Sequence, residues 1–146
     1  MRCAHYQDME GWPEYWLGFP PLMHPTHAVA PCLMLIGKRP ETVYCKGSGT
    51  VRKEVEAAYG CPYAFESALI SLKDSDTSIE MARFLYHVAR GYTESFNVYG
   101  ERKTFEWQQL ESEKPVMFSM EFDDSANHVM NSYGRGGLVT EERIYI

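Results

Sequence analysis

The segment Gly91-Tyr92-Thr93-Glu94-Ser95-Phe96-Asn97-Val98-Tyr99-Gly100 decides the fold. Between its two glycines, positions 92, 94, 96 and 98 alternate with 93, 95, 97 and 99, which is the side-chain period of a β-strand. Aromatic and β-branched residues are frequent in the segment, as they are in strands generally. The segment therefore predicts a strand over Tyr92–Tyr99, bounded by a glycine on each side.

Similar patterns recur on both sides of this strand. Downstream, Lys103–Gln109 places Phe105 and Trp107 on one face, and apolar residues alternate with others over Val116–Phe122. Upstream, Phe65–Leu72 and Thr42–Lys46 are apolar or β-branched runs, and the second is expected to stop at a turn formed by Gly47-Ser48-Gly49. Strands in succession joined by short turns are typical of an antiparallel sheet.

One helix is predicted before the strands. Its apolar stripe, at spacings of three and four residues, consists of Val29, Cys32, Leu33 and Ile36. Gly37 is a suitable left-handed terminator. Two beginnings are open, either Thr26 as the N-cap or a regular helix from about Ala30 because of Pro31. In both, His27 lies at or just before the helix N-terminus.

The segment Ile79–Arg90 is compatible with a helix or a strand by periodicity. Taken together, the patterns predict an α+β fold with an open-faced, mostly antiparallel sheet and helices packed on one face. A length of 146 residues fits a single domain, 1–146.

Composition excludes several classes of protein. The net charge of −6 argues against nucleic acid as a partner, since phosphate binding needs a concentrated basic surface. No apolar run approaches the roughly 20 residues of a membrane span, and no signal peptide follows Met1, so we expect a cytoplasmic protein that does not bind membranes. The four cysteines form no C-x-x-C pair and are expected to be free thiols.

Two short motifs carry little chemistry by themselves. His24-Pro25-Thr26-His27 lacks a third ligand at a familiar spacing, so no metal site is predicted. The aromatic segment Trp12–Pro21 is interrupted by prolines and glycine. It is interpreted either as an extended arm that packs on the domain or as a lid over a sugar pocket.

Several motifs, in this order and spacing, resemble the substrate domain of the Gfo/Idh/MocA oxidoreductases. They are His24-Pro25-Thr26-His27-Ala28-Val29-Ala30-Pro31, Tyr59-Gly60-Cys61-Pro62, Ala89-Arg90 followed by the segment quoted above, and Phe105-Glu106-Trp107. The resemblance extends over roughly residues 6 to 140 of the chain. It implies a two-domain enzyme in which an N-terminal Rossmann domain binds NAD or NADP. The second domain then binds a sugar or polyol, and its sheet pairs subunits. It also implies that the sheet continues through Ile79–Val88.

The resemblance places the site where the Trp12–Pro21 segment meets the start of the helix. The family's substrate-domain histidine, which contacts a substrate hydroxyl and assists proton transfer, corresponds to His27. The candidate substrate-binding neighbours are His24 and Tyr15 as polar groups, Trp16 as a stacking surface, and Arg83. A homodimer or higher oligomer is expected through the sheet, by way of Tyr92–Tyr99 and Lys103–Gln109.

The sequence departs from the family pattern because it contains no glycine-rich dinucleotide fingerprint. Glu113-Lys114-Pro115 matches a family signature of the Rossmann half, but it lies between two predicted strands and is interpreted as a turn. We therefore expect the chain alone to be inactive and to bind neither NAD nor NADP. We expect the chain to be a fragment, a truncated product or a free-standing domain.

The expected activity is hydride exchange with a sugar or polyol, and NAD-assisted glycoside hydrolysis stays open beside it. The alternative is a non-catalytic dimerising or carbohydrate-binding module.

Overall fold

The computed structural model describes residues 1–9, 11–57, 59–121 and 138–144. The chain forms two compact units, Met1–Phe96 and Asn97–Ile146. The predicted α+β class is confirmed, since the described residues include eight strands in an open, mostly antiparallel sheet. The strands are β1 (Arg2–Tyr6), β2 (Pro40–Thr50), β3 (Tyr63–Leu72), β4 (Ser78–Phe84), β5 (Thr93–Tyr99), β6 (Lys103–Glu106), β7 (Val116–Glu121) and β8 (Leu138–Arg143). The helices are α1 (Thr26–Ile36) and α2 (Lys53–Glu56), and 3₁₀ turns lie at Glu14–Trp16 and Pro21–Met23.

In the first unit the strand order is β2-β3-β4-β1, followed by the beginning of β5. β3 pairs antiparallel with both β2 and β4, whereas β1 and β4 pair in parallel with His5 opposite Arg83. Sequence patterns did not predict β1. It is only five residues long, and just Cys3 and His5 of it are buried.

Helix α1 lies where it was predicted and packs against β1 and β4. Its first turn forms on the carbonyl of Pro25, which accepts hydrogen bonds from the N–H groups of Ala28 and Val29. Thr26 is thus the first helical residue rather than the N-cap, and the later start near Ala30 is wrong. Pro31 is tolerated because its missing N–H removes only one helical hydrogen bond, the one to the carbonyl of His27. Gly37 ends the helix in the left-handed conformation, with φ of 65°.

Two apolar clusters stabilise the first unit. The first joins α1 to the sheet and contains buried residues such as Val29, Cys32, Ile70 and Ile79. The second lies around Val55, Leu85 and Tyr86, with Trp16 and Phe19 packed against it. Burial of such side chains contributes about 1.5–3 kcal/mol each. The first cluster therefore fixes the position of α1 on the sheet.

Two sequence predictions about β2 and β4 are wrong. Gly47-Ser48-Gly49 is part of β2 rather than a turn, with Gly47 opposite Glu66. A side chain at position 47 would collide with the ring of Tyr63, which explains a glycine within a strand. β4 ends at Phe84 rather than continuing to Val88, and the chain turns at His87, whose φ is 55°.

The second unit is antiparallel in the order β5-β6-β7-β8. Glu113 accepts hydrogen bonds from the N–H groups of Gln109 and Leu110, which agrees with a turn before β7. A concavity of about 300 Å³ lies on this unit, lined in part by Tyr99, Phe118 and Met120. Phe122 of the predicted strand Val116–Phe122 lies outside the described residues. Within the described ranges, no helix has the length and apolar character needed to cross a membrane.

Candidate functional site

His27 lies in the first turn of α1, with its side chain 57% exposed. Its Nδ1 atom is 3.1 Å from Oε1 of Glu94 on β5. Since Ala28 and Val29, the next two residues, are buried in the core, the helix holds His27 at a fixed place beside the sheet. An imidazole held this way can exchange a proton through its opposite nitrogen, Nε2.

His5 on β1 lies near the same carboxylate. Its side chain is 5% exposed, and its Nδ1 atom is 3.9 Å from Glu94 Oε1. Its Nε2 atom lies 3.0 Å from the amide oxygen of Gln7, which is an acceptor, so Nε2 carries the proton. Burial lowers the pKa of His5, and the neighbouring positive charge of Arg83 lowers it further. His5 is therefore a neutral imidazole near pH 7.

Arg83 on β4 connects the sheet to the segment that precedes α1. Its Nη1 atom donates hydrogen bonds to the carbonyl of Pro21, at 2.6 Å, and to the carbonyl of His24. Burial lowers its pKa, against the opposing effect of the Glu94 carboxylate, but a guanidinium keeps its charge in proteins. The carboxylate of Glu66 on β3 accepts the N–H of Leu22 at 2.6 Å. These bonds fix the loop that leads into His27.

Tyr92, which directly precedes β5, contacts both Glu94 and His5. Its hydroxyl hydrogen-bonds the Glu94 carboxylate, and its ring meets the His5 ring edge-on at 5.5 Å between centroids. Desolvation, with the carboxylate as the second cause, raises the pKa of Tyr92 to about 12. Tyr92 thus stays a protonated donor to Glu94 over the physiological pH range.

The centre of this group contains buried polar atoms without a hydrogen-bond partner. They are His5 Nδ1, Arg83 Nε and Glu94 Oε1, three of four such atoms among the described side chains. Glu94 Oε1 has no hydrogen bond although His27 Nδ1 is 3.1 Å away, because distance alone does not align the N–H with the acceptor. Unpaired buried polar atoms are rare in folded proteins, and a cluster of them is typical of a functional site.

The structure brings together three of the five predicted site residues. His27 and Arg83 are described above, and His24 is close to His27, with 5.8 Å between ring centroids. His24 Nε2 lies 3.2 Å from the hydroxyl of Thr26. Their roles in catalysis and substrate binding stay predictions.

Tyr15 and Trp16 lie in a separate aromatic group. Trp16 contacts Trp12, Tyr15 and Phe19 and packs against the second apolar cluster, whereas α1 packs against the first. The hydroxyl of Tyr59 donates to the carbonyl of Tyr15. This agrees with the interpretation of residues 12–21 as an arm packed on the unit, and the substrate-binding role of both residues stays a prediction.

Sequence reasoning missed His5 and Glu94. Glu94 was part of the segment that predicted the strand, but nothing in the pattern distinguished it from a solvent-facing residue. His5 belongs to β1, whose short alternation Arg2-Cys3-Ala4-His5-Tyr6 was the available signal. Neither residue forms a metal site, since no three His, Cys, Asp or Glu side chains within the described ranges could hold a metal ion together.

Comparisons with known proteins support the fold. No family model and no curated protein matches the chain. Two solved structures of UDP-N-acetylglucosamine 3-dehydrogenase GnnA from Acidithiobacillus ferrooxidans are similar to it. The P21 crystal form matches with a TM-score of 0.62 and 12% identity over 99% of this chain and 39% of that chain. The P212121 form matches with a TM-score of 0.55 and 13% identity over 81% of this chain and 34% of that chain. The chain thus spans less than half the length of these dehydrogenases, and the likeness is one of fold.

Proposed function

We propose that this chain is the substrate-binding and dimerisation domain of an NAD- or NADP-dependent sugar or polyol oxidoreductase of the Gfo/Idh/MocA family. The order of its sequence motifs supports the family. The likeness in fold to a sugar-nucleotide dehydrogenase, over 99% of this chain, supports the class of reaction. The observation that carries the site is His27, an exposed imidazole at the start of α1 with Nδ1 beside the Glu94 carboxylate.

The residues of this chain would bind the substrate and move a proton. In the oxidation direction, Nε2 of His27 accepts the proton of the substrate hydroxyl while the carbon loses its hydride. Arg83 acts indirectly, because its bonds to the carbonyls of Pro21 and His24 fix the loop before the helix. His24 lies close enough to His27 to contact the same substrate.

The hydride acceptor would be a nicotinamide cofactor held by a Rossmann domain. The residues of this chain do not fit such a cofactor. The sequence has no glycine-rich fingerprint, and α1, the longer of the two described helices, follows a proline-rich loop. The chain alone is therefore proposed to bind neither NAD nor NADP, and calorimetric titration at micromolar concentrations measures this directly.

In the complete two-domain enzyme, His27→Ala should lower turnover by roughly 10²-fold, the usual loss when general acid–base assistance is removed. The matched control is His87→Asn, at an exposed histidine of the same unit whose positive φ asparagine tolerates. Steady-state rates with sugar and polyol substrates, including UDP-N-acetylglucosamine, measure the effect. Equal turnover of wild type and His27→Ala would contradict the proposal.

A carbohydrate-binding module is the second candidate, because the aromatic arm exposes large rings. Tyr15 is 67% exposed and Trp12 is 43% exposed. Aromatic faces of this kind suit the C–H surfaces of sugars. Sugar binding that is lost in Tyr15→Ala but kept in His27→Ala would favour this candidate over the oxidoreductase domain.

A further inference from the structure

The contacts around Glu94 suggest a role that the family resemblance did not assign. Glu94 Oε1 is buried and lacks a hydrogen bond, although the Glu94 side chain as a whole is 26% exposed. Two imidazole nitrogens are near this oxygen, Nδ1 of His27 at 3.1 Å and Nδ1 of His5 at 3.9 Å. One of these two nitrogens is expected to donate a hydrogen bond to Glu94 Oε1.

His5 is not a suitable donor to this oxygen. Its Nε2 faces the amide oxygen of Gln7 and therefore carries the ring proton of the neutral imidazole. The Nδ1 atom of His5 then has a lone pair directed toward Glu94 and no proton to give. This agrees with the absence of a hydrogen-bond partner for both atoms.

Of the two imidazoles, His27 is therefore the one that can donate to Glu94 Oε1. Its side chain is more than half exposed, so the ring can rotate by the small amount that aligns Nδ1–H with Glu94 Oε1. Hydrogen bonds of catalytic groups are often misaligned in ligand-free structures and tighten when substrate binds. Four other polar groups surround the His27–Glu94 pair. His24 lies beside His27, and Arg83 and His5 lie near Glu94. The hydroxyl of Tyr92 hydrogen-bonds the Glu94 carboxylate.

We propose that Glu94 is the positioning residue of His27: its carboxylate accepts Nδ1–H and so leaves Nε2 unprotonated, as the atom that takes the substrate hydroxyl proton. This rests on the proposed function for the identity of the substrate, but the tautomer itself is a property of this chain. The nitrogen that a histidine protonates is set by the hydrogen bond that the other nitrogen makes. After the transfer, the imidazolium lies beside the carboxylate, which stabilises its charge.

The tautomer of His27 can be measured in the chain as it is. Long-range ¹H–¹⁵N correlation spectra, recorded at about pH 8.5 where imidazoles are ordinarily neutral, distinguish protonated from unprotonated ring nitrogens. We expect His27 to carry its proton on Nδ1. In Glu94→Met, which keeps the size and removes the acceptor, the proton should move to Nε2, the nitrogen that free histidine prefers.

Three further variants make the result specific. His27→Asn identifies the His27 signals by their loss. Glu94→Gln keeps an acceptor oxygen and should preserve the Nδ1–H tautomer. Glu80→Met, at an exposed carboxylate on β4 that pairs with Arg2, should leave it unchanged. If Glu94→Met does not fold, the wild-type tautomer decides the matter.

The proposal is overturned if wild-type His27 carries its proton on Nε2, or if folded Glu94→Met retains the wild-type tautomer. Failure of the proposed function has a different signature. There, His27→Ala would leave turnover of the two-domain enzyme unchanged while the Nδ1–H tautomer and its dependence on Glu94 persist.

Discussion

The two units of the chain differ in how far their side chains are buried. The buried apolar residues of the described chain that form its two core clusters all lie in the first unit, from Cys3 to Tyr86. In the second unit, the side chains of β6 and most of β7 are half-buried or exposed. A helix covers strands of the first unit, whereas the described part of the second unit consists of strands and turns.

This difference explains where the polar site lies. Buried polar groups such as His5 and Arg83 lose hydration, and a core must hold them in place for that loss to be tolerated. The first unit contains two such cores, one of which joins α1 to the sheet. The second unit has half-covered strands instead, and we propose that these strands pair with another subunit.

The largest expected effect is on the stability of the first unit. Arg83→Met removes the charged donor from the carbonyls of Pro21 and His24, and hydrogen bonds from charged groups contribute about 1.5–3 kcal/mol each. We expect a loss of about 3 kcal/mol in the free energy of unfolding, measured by urea denaturation. Lys103→Met, at an exposed lysine of the second unit, should change it by less than about 0.5 kcal/mol. Equal losses in the two variants would remove the contrast between the units.

The next effect concerns the proposed dimer. Tyr99 is 48% exposed on β5 in the second unit, within the surface proposed to pair. Tyr99→Glu should weaken self-association by at least about tenfold in the dissociation constant, because it places a charge in an apolar contact. Light scattering at concentrations in the range of tens of micromolar measures the mass.

Tyr44→Glu is the matched control for this variant. Tyr44 is 74% exposed on β2 of the first unit. Because it lies outside the surface proposed to pair, its replacement should leave the mass unchanged. A wild-type chain that is monomeric under these conditions would contradict pairing through the sheet.

The smallest expected effect is a pH dependence confined to the first unit. Burial lowers the pKa of His5 from its ordinary value of 6.5 in the folded state only. As the pH falls below about 6.5, the unfolded chain therefore binds a proton that the folded chain does not, and stability decreases. His5→Gln should make the free energy of unfolding less dependent on pH between about 6.5 and 5. His87→Asn, at an exposed histidine, serves as the control, and an equal pH slope in His5→Gln and wild type would show that His5 does not contribute.

Sequence patterns predicted the elements that have a strong period or a clear end. The stripe of α1 and its glycine terminator located the helix, and the alternation around Glu94 located β5. The patterns failed where the decisive contact comes from elsewhere in the chain. Gly47 looked like a turn because its partner, the ring of Tyr63, lies on the neighbouring strand. β1 was too short for a pattern and exists because it pairs with β4.

The candidate site divides in the same way. The resemblance of the motif before α1 to the Gfo/Idh/MocA substrate domain indicated His27 and His24 as site residues, and helical periodicity placed both near a helix start. The carboxylate beside His27 belongs to β5, and the imidazole behind it belongs to β1, so the three are separated by long stretches of chain. Sequence by itself determined the helix, most strands and the place of His27 at the helix start, because these depend on local periodicity and local backbone restrictions. Only the tertiary structure decided that Glu94, His5 and Arg83 surround that histidine, because strand pairing and core packing between distant segments bring them together.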